Sequence, residues 1–242
     1  MPGVAVALAL ADRPAKPSNV AAAEDLLRWA AKTYAPRILF TTAFGAAGCA
    51  LVSIIAELRL PIEIATLDTG LLFPETYALW RRLEARYGVT IRSIEPELTV
   101  TRQAEAHGPK LWERAPDLCC EMRKVRPLAK ELARFDAWVT SIRADETKDR
   151  AAASPVENDA RFGVVKINPL LTWSAEDVWR YVRERGVPTS PLHARGYPSI
   201  GCVPCTSRVA AGEDPRAGRW RGAAKTECGL HRRSALPTTT NA

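Results

Sequence analysis

Apolar residues along this chain fall in short runs separated by stretches with helical spacing. Arg37-Ile-Leu-Phe-Thr-Thr42 reads as a buried strand, and the runs over 63–67, 89–94 and 137–142 repeat that signature. Between them the pattern predicts helices around 51–58, from Pro74 to about Tyr87, and over 122–135. Pro74 suits a first helical position and Gly88 a terminus. The stretch 161–167 is expected to add an edge strand. Ser174 is expected to cap an amphipathic helix through Glu184, with Glu176 and Asp177 in its first turn. Strands that alternate with helices imply a parallel sheet covered on both faces, with ligands beyond the carboxyl ends of the strands.

After about Val187 the periodicity gives way to prolines and glycines. The expected organisation is an arm over 1–22, an α/β domain over 23–205 and a basic segment over 206–242. Of a net charge of +7, the last 37 residues carry +4. That excess suggests an anionic partner without naming it. A hydrophobic content of 47% excludes a disordered chain, and no apolar run reaches the length of a membrane helix. The apolar stretch after Met1 has no Lys or Arg before it, as a signal peptide would. The chain is therefore expected in the cytoplasm, where clustered cysteines serve metals or redox chemistry more often than disulfides.

Three segments carry candidate chemistry. In the turn Thr41-Thr-Ala-Phe-Gly-Ala-Ala-Gly48, small residues between strand and helix let backbone N–H groups approach a phosphate, although tight packing alone would ask for the same residues. It is neither a Walker A loop nor a dinucleotide fingerprint. In Leu67-Asp-Thr-Gly70, Asp68 stands where it can bond a ribose or a base, or merely satisfy the turn while Phe73 and Tyr77 fill the core. Cys119 and Cys120, then Cys202 and Cys205 after 81 residues, supply four thiolates suited to zinc or an iron–sulfur cluster. Thiolate-only ligation favours the cluster. Arg123 and Lys124 could balance the charge of a cluster or a bound anion.

Cys49 lies in an apolar helix and reads as a small core residue. Cys228, in Lys225-Thr-Glu-Cys-Gly-Leu-His231, has Lys225, His231, Arg232 and Arg233 nearby to favour its thiolate, while Glu227 opposes them.

Together these segments resemble the assimilatory sulfonucleotide reductases, specifically the iron–sulfur adenylyl-sulfate reductases. The match is carried by Thr42-Ala-Phe-Gly-Ala46, Leu67-Asp-Thr-Gly70 with Phe73-Pro-Glu-Thr-Tyr77, and Cys119-Cys120-Glu-Met-Arg-Lys-Val-Arg-Pro-Leu128. It continues in Gly201-Cys-Val-Pro-Cys205, Arg216-Ala-Gly-Arg219-Trp220 and Lys225 to His231. It spans about 26–231.

The resemblance implies a single adenine-nucleotide α-hydrolase-like (PP-loop type) α/β domain with a mobile C-terminal tail. It implies reduction of adenylyl sulfate to sulfite and AMP: Cys228 attacks the sulfate sulfur, forming an S-sulfocysteine, and reduced thioredoxin releases sulfite. One [4Fe-4S] cluster on Cys119, Cys120, Cys202 and Cys205 would tune the site without donating the electrons. Substrate would be bound by Thr42, Gly45, Leu67, Asp68, Lys124, Arg150, Arg216, Arg219 and His231. Ala43 and Ala47 depart from the serine and the acidic residue usual in the family's turn, which removes one hydroxyl donor. The partners implied are adenylyl sulfate and thioredoxin, with neither nucleic acid nor membrane, and self-association is left open.

Three other readings compete. One is a reductase of the 3′-phosphorylated nucleotide, or of both, although such relatives generally lack the four cysteines. A second is a tRNA-thiolating ATP pyrophosphatase, whose Ser-Gly-Gly-x-Asp-Ser loop is absent here. The third is a zinc-stabilised nucleic-acid-binding module, which leaves Cys228 unexplained.

Overall fold

The computed structural model describes residues 19–223, 225 and 227–231. Helix α1 (Asn19–Tyr34) begins inside the expected arm, of which residues 1–18 lie outside the described residues. Its buried Ala23, Leu27, Ala30 and Ala31 form the stripe that ties it to the sheet. The chain continues through β1 (Ile38–Thr42), α2 (Ala46–Glu57), β2 (Glu63–Leu67), α3 (Pro74–Tyr87) and β3 (Ile91–Ile94). In α3, Pro74 opens the helix and Gly88 closes it in the left-handed conformation.

Two short helices follow α4 (Val100–His107): α5 (Leu111–Arg114) and α6 (Pro116–Cys120). Helix α6 runs through a π turn, Glu121–Val125, into α7 (Arg126–Leu132). The predicted 122–135 helix is thus the second half of a longer, irregular one. Then come β4 (Ala137–Val139), α8 (Lys148–Ala151), β5 (Val156–Asp159), β6 (Val164–Ile167) and α9 (Ala175–Arg185). Ser174 and Asp177 close a reciprocal capping box at the start of α9.

The strands form one sheet in the order β3-β2-β1-β4-β6-β5. All neighbours are parallel except β5 and β6. The expectation that 161–167 forms the edge is corrected here. β6 lies inside the sheet beside β4, and β5 turns back antiparallel to cover it. That strand reads Val-Glu-Asn-Asp, so its polar composition concealed it.

Strand alternation divides the core. Ile38, Phe40, Ile64 and Val139 face a large cluster with α1, α2, α3 and α9. Leu39, Ala65 and Trp138 face the other side, against Leu128 and Leu132 of α7. Cys49 is fully buried in the first cluster. No helix among the described residues is long and apolar enough to cross a membrane.

Candidate active site

The carboxyl ends of β1, β2 and β4 open onto a cavity of about 450 Å³. Its floor is the turn from Thr41 to Gly48, and its far wall is the C-terminal segment from Asp214 to His231. Of the residues expected to bind substrate, Thr42, Gly45, Leu67, Lys124, Arg150, Arg216, Arg219 and His231 all line it, as do Cys202 and Cys228.

The turn after β1 is built to expose backbone. Phe44 takes a left-handed φ of 59°, donates its N–H to Thr42 Oγ1 at 3.0 Å, and stacks on Trp80 with centroids 5.8 Å apart. Gly45 caps α2 with no side-chain partner, so the first N–H groups of that helix face the cavity. Gly48 lets the helix come this close, because a Cβ there would stand 2.5 Å from Thr42 Oγ1. Gly48→Ala is therefore expected to destabilise the fold. Overpacking costs about 1–3 kcal/mol, more than the roughly 0.8–1 kcal/mol of helix propensity that alanine adds. A lower urea midpoint with unchanged slope would register it.

Asp68 is the one expected substrate contact that the cavity does not include. Its Oδ1 accepts from Tyr77 Oη at 2.7 Å and from the Gly70 N–H at 2.9 Å, so it fixes the turn. Its neighbour Thr69 reaches the cysteines instead: Thr69 Oγ1 lies 3.2 Å from Cys202 Sγ. The Thr69 carbonyl accepts from Arg123 Nε at 2.6 Å. Arg123, buried, also donates to Gln103 Oε1 at 3.0 Å, and Gln103 Nε2 points at Cys119 Sγ at 3.9 Å. Thr69, Gln103 and Arg123 thus form a polar scaffold behind the cysteines. Only Arg123 was signalled by charge in the sequence.

Cys119, Cys120, Cys202 and Cys205 are all free thiols. Cys119 and Cys120 close the helix before the π turn, Cys202 bridges to Leu72, and Cys202 interacts electrostatically with each of the other three. Burial pushes the Cys120 and Cys205 thiols up to about 11, and the charge of Cys202 adds to both. Burial alone would drive Lys124 toward its neutral form. The facing sulfurs of Cys202, Cys228 and Cys120 overcome this and hold it charged. A set of four thiols without imidazole, beside the charged Lys124, suits an iron–sulfur group better than hard-metal chemistry. Among the described residues no three His, Cys, Asp or Glu side chains gather around the position of a single metal ion.

The segment carrying Cys228 is docked by its neighbour. Glu227 is 1% exposed and accepts from Arg150 Nε at 2.8 Å, Arg150 Nη2 at 3.1 Å and Thr147 Oγ1 at 3.1 Å. Arg216 Nη2 lies 3.4 Å away. Burial raises the carboxyl pKa, but Arg150 and Arg216 pull it below the ordinary range. Arg150 also pairs with Glu146. Two of the three arginines expected to bind substrate, Arg150 and Arg216, thus hold the tail as well.

The charges expected around Cys228 also differ. Lys225 turns away to Asp117 and packs over the Trp220 ring. His231 stacks on Trp138, centroids 5.4 Å apart and planes within 9°. Burial, then the charges of Arg150, Lys166 and Arg216, hold its pKa well below the usual value, so it is a neutral ring. Arg232 and Arg233 lie outside the described residues. Among the described residues, Lys124 shares the cavity with Cys228 and interacts with it electrostatically.

The basic segment forms ion pairs within the chain, Arg221 with Glu213 at 3.1 Å among them. A cation engaged in this way offers less to a nucleic-acid backbone than the composition suggests.

Known proteins resemble this chain over most of its length. An adenosine 5′-phosphosulfate reductase of Streptomyces coelicolor is 47% identical over 224 residues, covering 92% of this chain and 94% of the relative. One from Halalkalibacterium halodurans is 45% identical over 208 residues, covering 86% and 90%. A crystal structure of a phosphoadenylyl-sulfate reductase from Candida auris superposes with a TM-score of 0.67 at 34% identity, covering 78% of this chain and 90% of that one. A Candida glabrata FMN adenylyltransferase, at 17% identity and TM-score 0.55, shares the fold. The phosphoadenosine phosphosulfate reductase domain model matches residues 37–208, and the chain belongs to that family of α/β reductases.

Proposed function

We propose that the chain reduces adenylyl sulfate to sulfite and AMP through an S-sulfocysteine on Cys228, with reduced thioredoxin as the electron donor. The observation that carries the reading is the placement of Cys228 on the wall of the nucleotide-sized cavity, facing Lys124 and opposite the open N-terminus of α2. The nucleotide lies over the turn at Thr42 and Gly45 and against Leu67, where backbone groups meet its polar edges. Lys124 and Arg219 neutralise the sulfate, which lets an anionic thiolate approach an anionic substrate. The Cys228 thiolate attacks the sulfur, its new bond forms as the sulfur–oxygen bond breaks, and AMP departs with the electron pair. Glu227, anchored on Arg150, fixes where Cys228 stands.

Cys119, Cys120, Cys202 and Cys205 would hold a [4Fe-4S] cluster. When bound, it would shape the electrostatics around Lys124. The two electrons come from the dithiol reductant.

Support comes from relatives named adenosine 5′-phosphosulfate reductase that match most of the chain. The test is a single anaerobic turnover with adenylyl sulfate and no reductant. One AMP per chain and one SO₃ added to the Cys228 peptide are expected, with about four irons per chain. AMP release without an adduct would remove Cys228 as the nucleophile, and tight zinc without iron would remove the cluster.

A further inference from the structure

His193 lines the nucleotide cavity beside Trp179 of α9, yet no motif in the sequence marks it. It opens a short 3-10 turn, His193–Arg195, which Gly196 ends at a φ of +84°. The loop is pinned to α3 on both sides of the histidine. Arg82 Nη2 donates to the Thr189 carbonyl at 3.1 Å, and Arg195 pairs with Glu75 at 3.1 Å. The ring itself stands edge to face with Trp179, centroids 5.1 Å apart. Packing therefore sets its place before any ligand arrives.

The two ring nitrogens differ. Nδ1 lies 3.0 Å from the Tyr197 carbonyl oxygen. A carbonyl can only accept, so the proton of the neutral ring sits on Nδ1. Nε2 then carries a lone pair, and it is buried with no hydrogen-bond partner among the described residues. Burial lowers the pKa of the ring and outweighs the Tyr197 carbonyl, which acts in the opposite direction. The ring is thus neutral near neutral pH. An acceptor in that state is costly to leave unmatched, and only a donor can match it.

The charges of the cavity decide what kind of donor. Lys124 and Arg219 present N–H groups and suit the phosphate and sulfate oxygens. A lone pair repels those oxygens, which have no proton to give. Donors belong to the uncharged part of the nucleotide, its ribose hydroxyls and its adenine amino group. We infer that His193 Nε2 accepts a hydrogen bond from one of these nucleoside donors and adds a specificity-determining contact to the cavity. This rests on the proposed binding of adenylyl sulfate there. His193 acts on recognition and leaves the sulfur chemistry to Cys228. A nucleotide without the donor leaves Nε2 unmatched in the complex and loses affinity for that reason.

The experiment measures binding of AMP, 2′-deoxy-AMP, 3′-deoxy-AMP and purine riboside 5′-phosphate, which lacks the amino group. The proteins are the full-length wild type and His193→Asn. Asparagine keeps an N–H where Nδ1 meets Tyr197 and removes the acceptor at Nε2. A wild-type protein that binds no AMP would fail the proposed function itself, before His193 is tested. One analogue is expected to bind the wild type about tenfold more weakly than AMP, with that preference lost in His193→Asn. The analogue that behaves so names the donor. A histidine that only shaped the loop would weaken all four nucleotides alike and leave their ratios unchanged. A second readout needs no variant: on saturation with AMP, the ¹⁵N resonance of Nε2 is expected to move while the proton stays on Nδ1. An unmoved resonance, a proton gained at Nε2, or the same ratios in wild type and His193→Asn would overturn the inference.

Discussion

Cys228→Ser is expected to lose sulfite formation by a factor on the order of a thousand or more. A serine hydroxyl stays protonated near neutral pH where a thiol can supply thiolate, so the variant brings no competent nucleophile to the sulfate. No adduct should form and no AMP should be released in a single turnover. Nucleotide binding should persist, since the turn at Thr42 and Gly45 and the cations Lys124 and Arg219 are untouched. Iron content should persist too, because Cys228 is outside the four-thiol set. Wild-type sulfite release from the serine protein would sink the assignment.

The second large effect is expected at Glu227. Glu227→Ala removes a carboxylate that is 1% exposed and leaves Arg150 and Arg216 facing a void. Breaking such a buried pair costs about 3–5 kcal/mol. That cost falls on the docked tail, since the sheet core on Ile38, Phe40 and Ile64 is elsewhere. Turnover is expected to fall by about two to three orders of magnitude with the fold retained. Glu227→Gln, which keeps the shape and one acceptor, should recover part of the loss. An alanine variant with full turnover would show that the dock does not position Cys228.

The same pair sets a pH dependence. Burial works against the Glu227 carboxylate, but the guanidinium groups win and its folded pKa lies below the ordinary value. Its contribution is thus complete above the unfolded carboxylate value, about 4.3, and is lost as pH falls through the depressed folded value. Tail docking, followed by protection of Cys228 from alkylation, is expected to be flat from neutral pH to about 5 and to fail only in acid.

Strands and apolar helices were legible in the sequence because hydrophobic periodicity reports burial directly. The predicted 63–67 strand and the helix from Pro74 to Tyr87 match the structure residue for residue. Helix α4 was not legible: only Gln103 of Val100–His107 is buried, so no apolar stripe marks it. Asp68 was ambiguous in the sequence, since a carboxylate at a strand end looks the same whether it meets a ligand or a tyrosine hydroxyl. The dock of Glu227 was invisible for another reason. It joins residues 77 apart through charges whose pairing only the fold decides. Local charge even pointed the wrong way at Lys225, which binds Asp117.

The π turn at Glu121–Val125 fixes how the two halves of the helix face. Before it the helix supplies the site with Cys119 and Cys120, the turn itself supplies Lys124, and beyond it the core receives Leu128 and Leu132. Removing one residue to restore regular winding would rotate one half against the other by about 100°. Either the thiols or the leucines would then face the wrong way. A one-residue deletion within this segment is therefore expected to cost more than a substitution at one of its exposed positions.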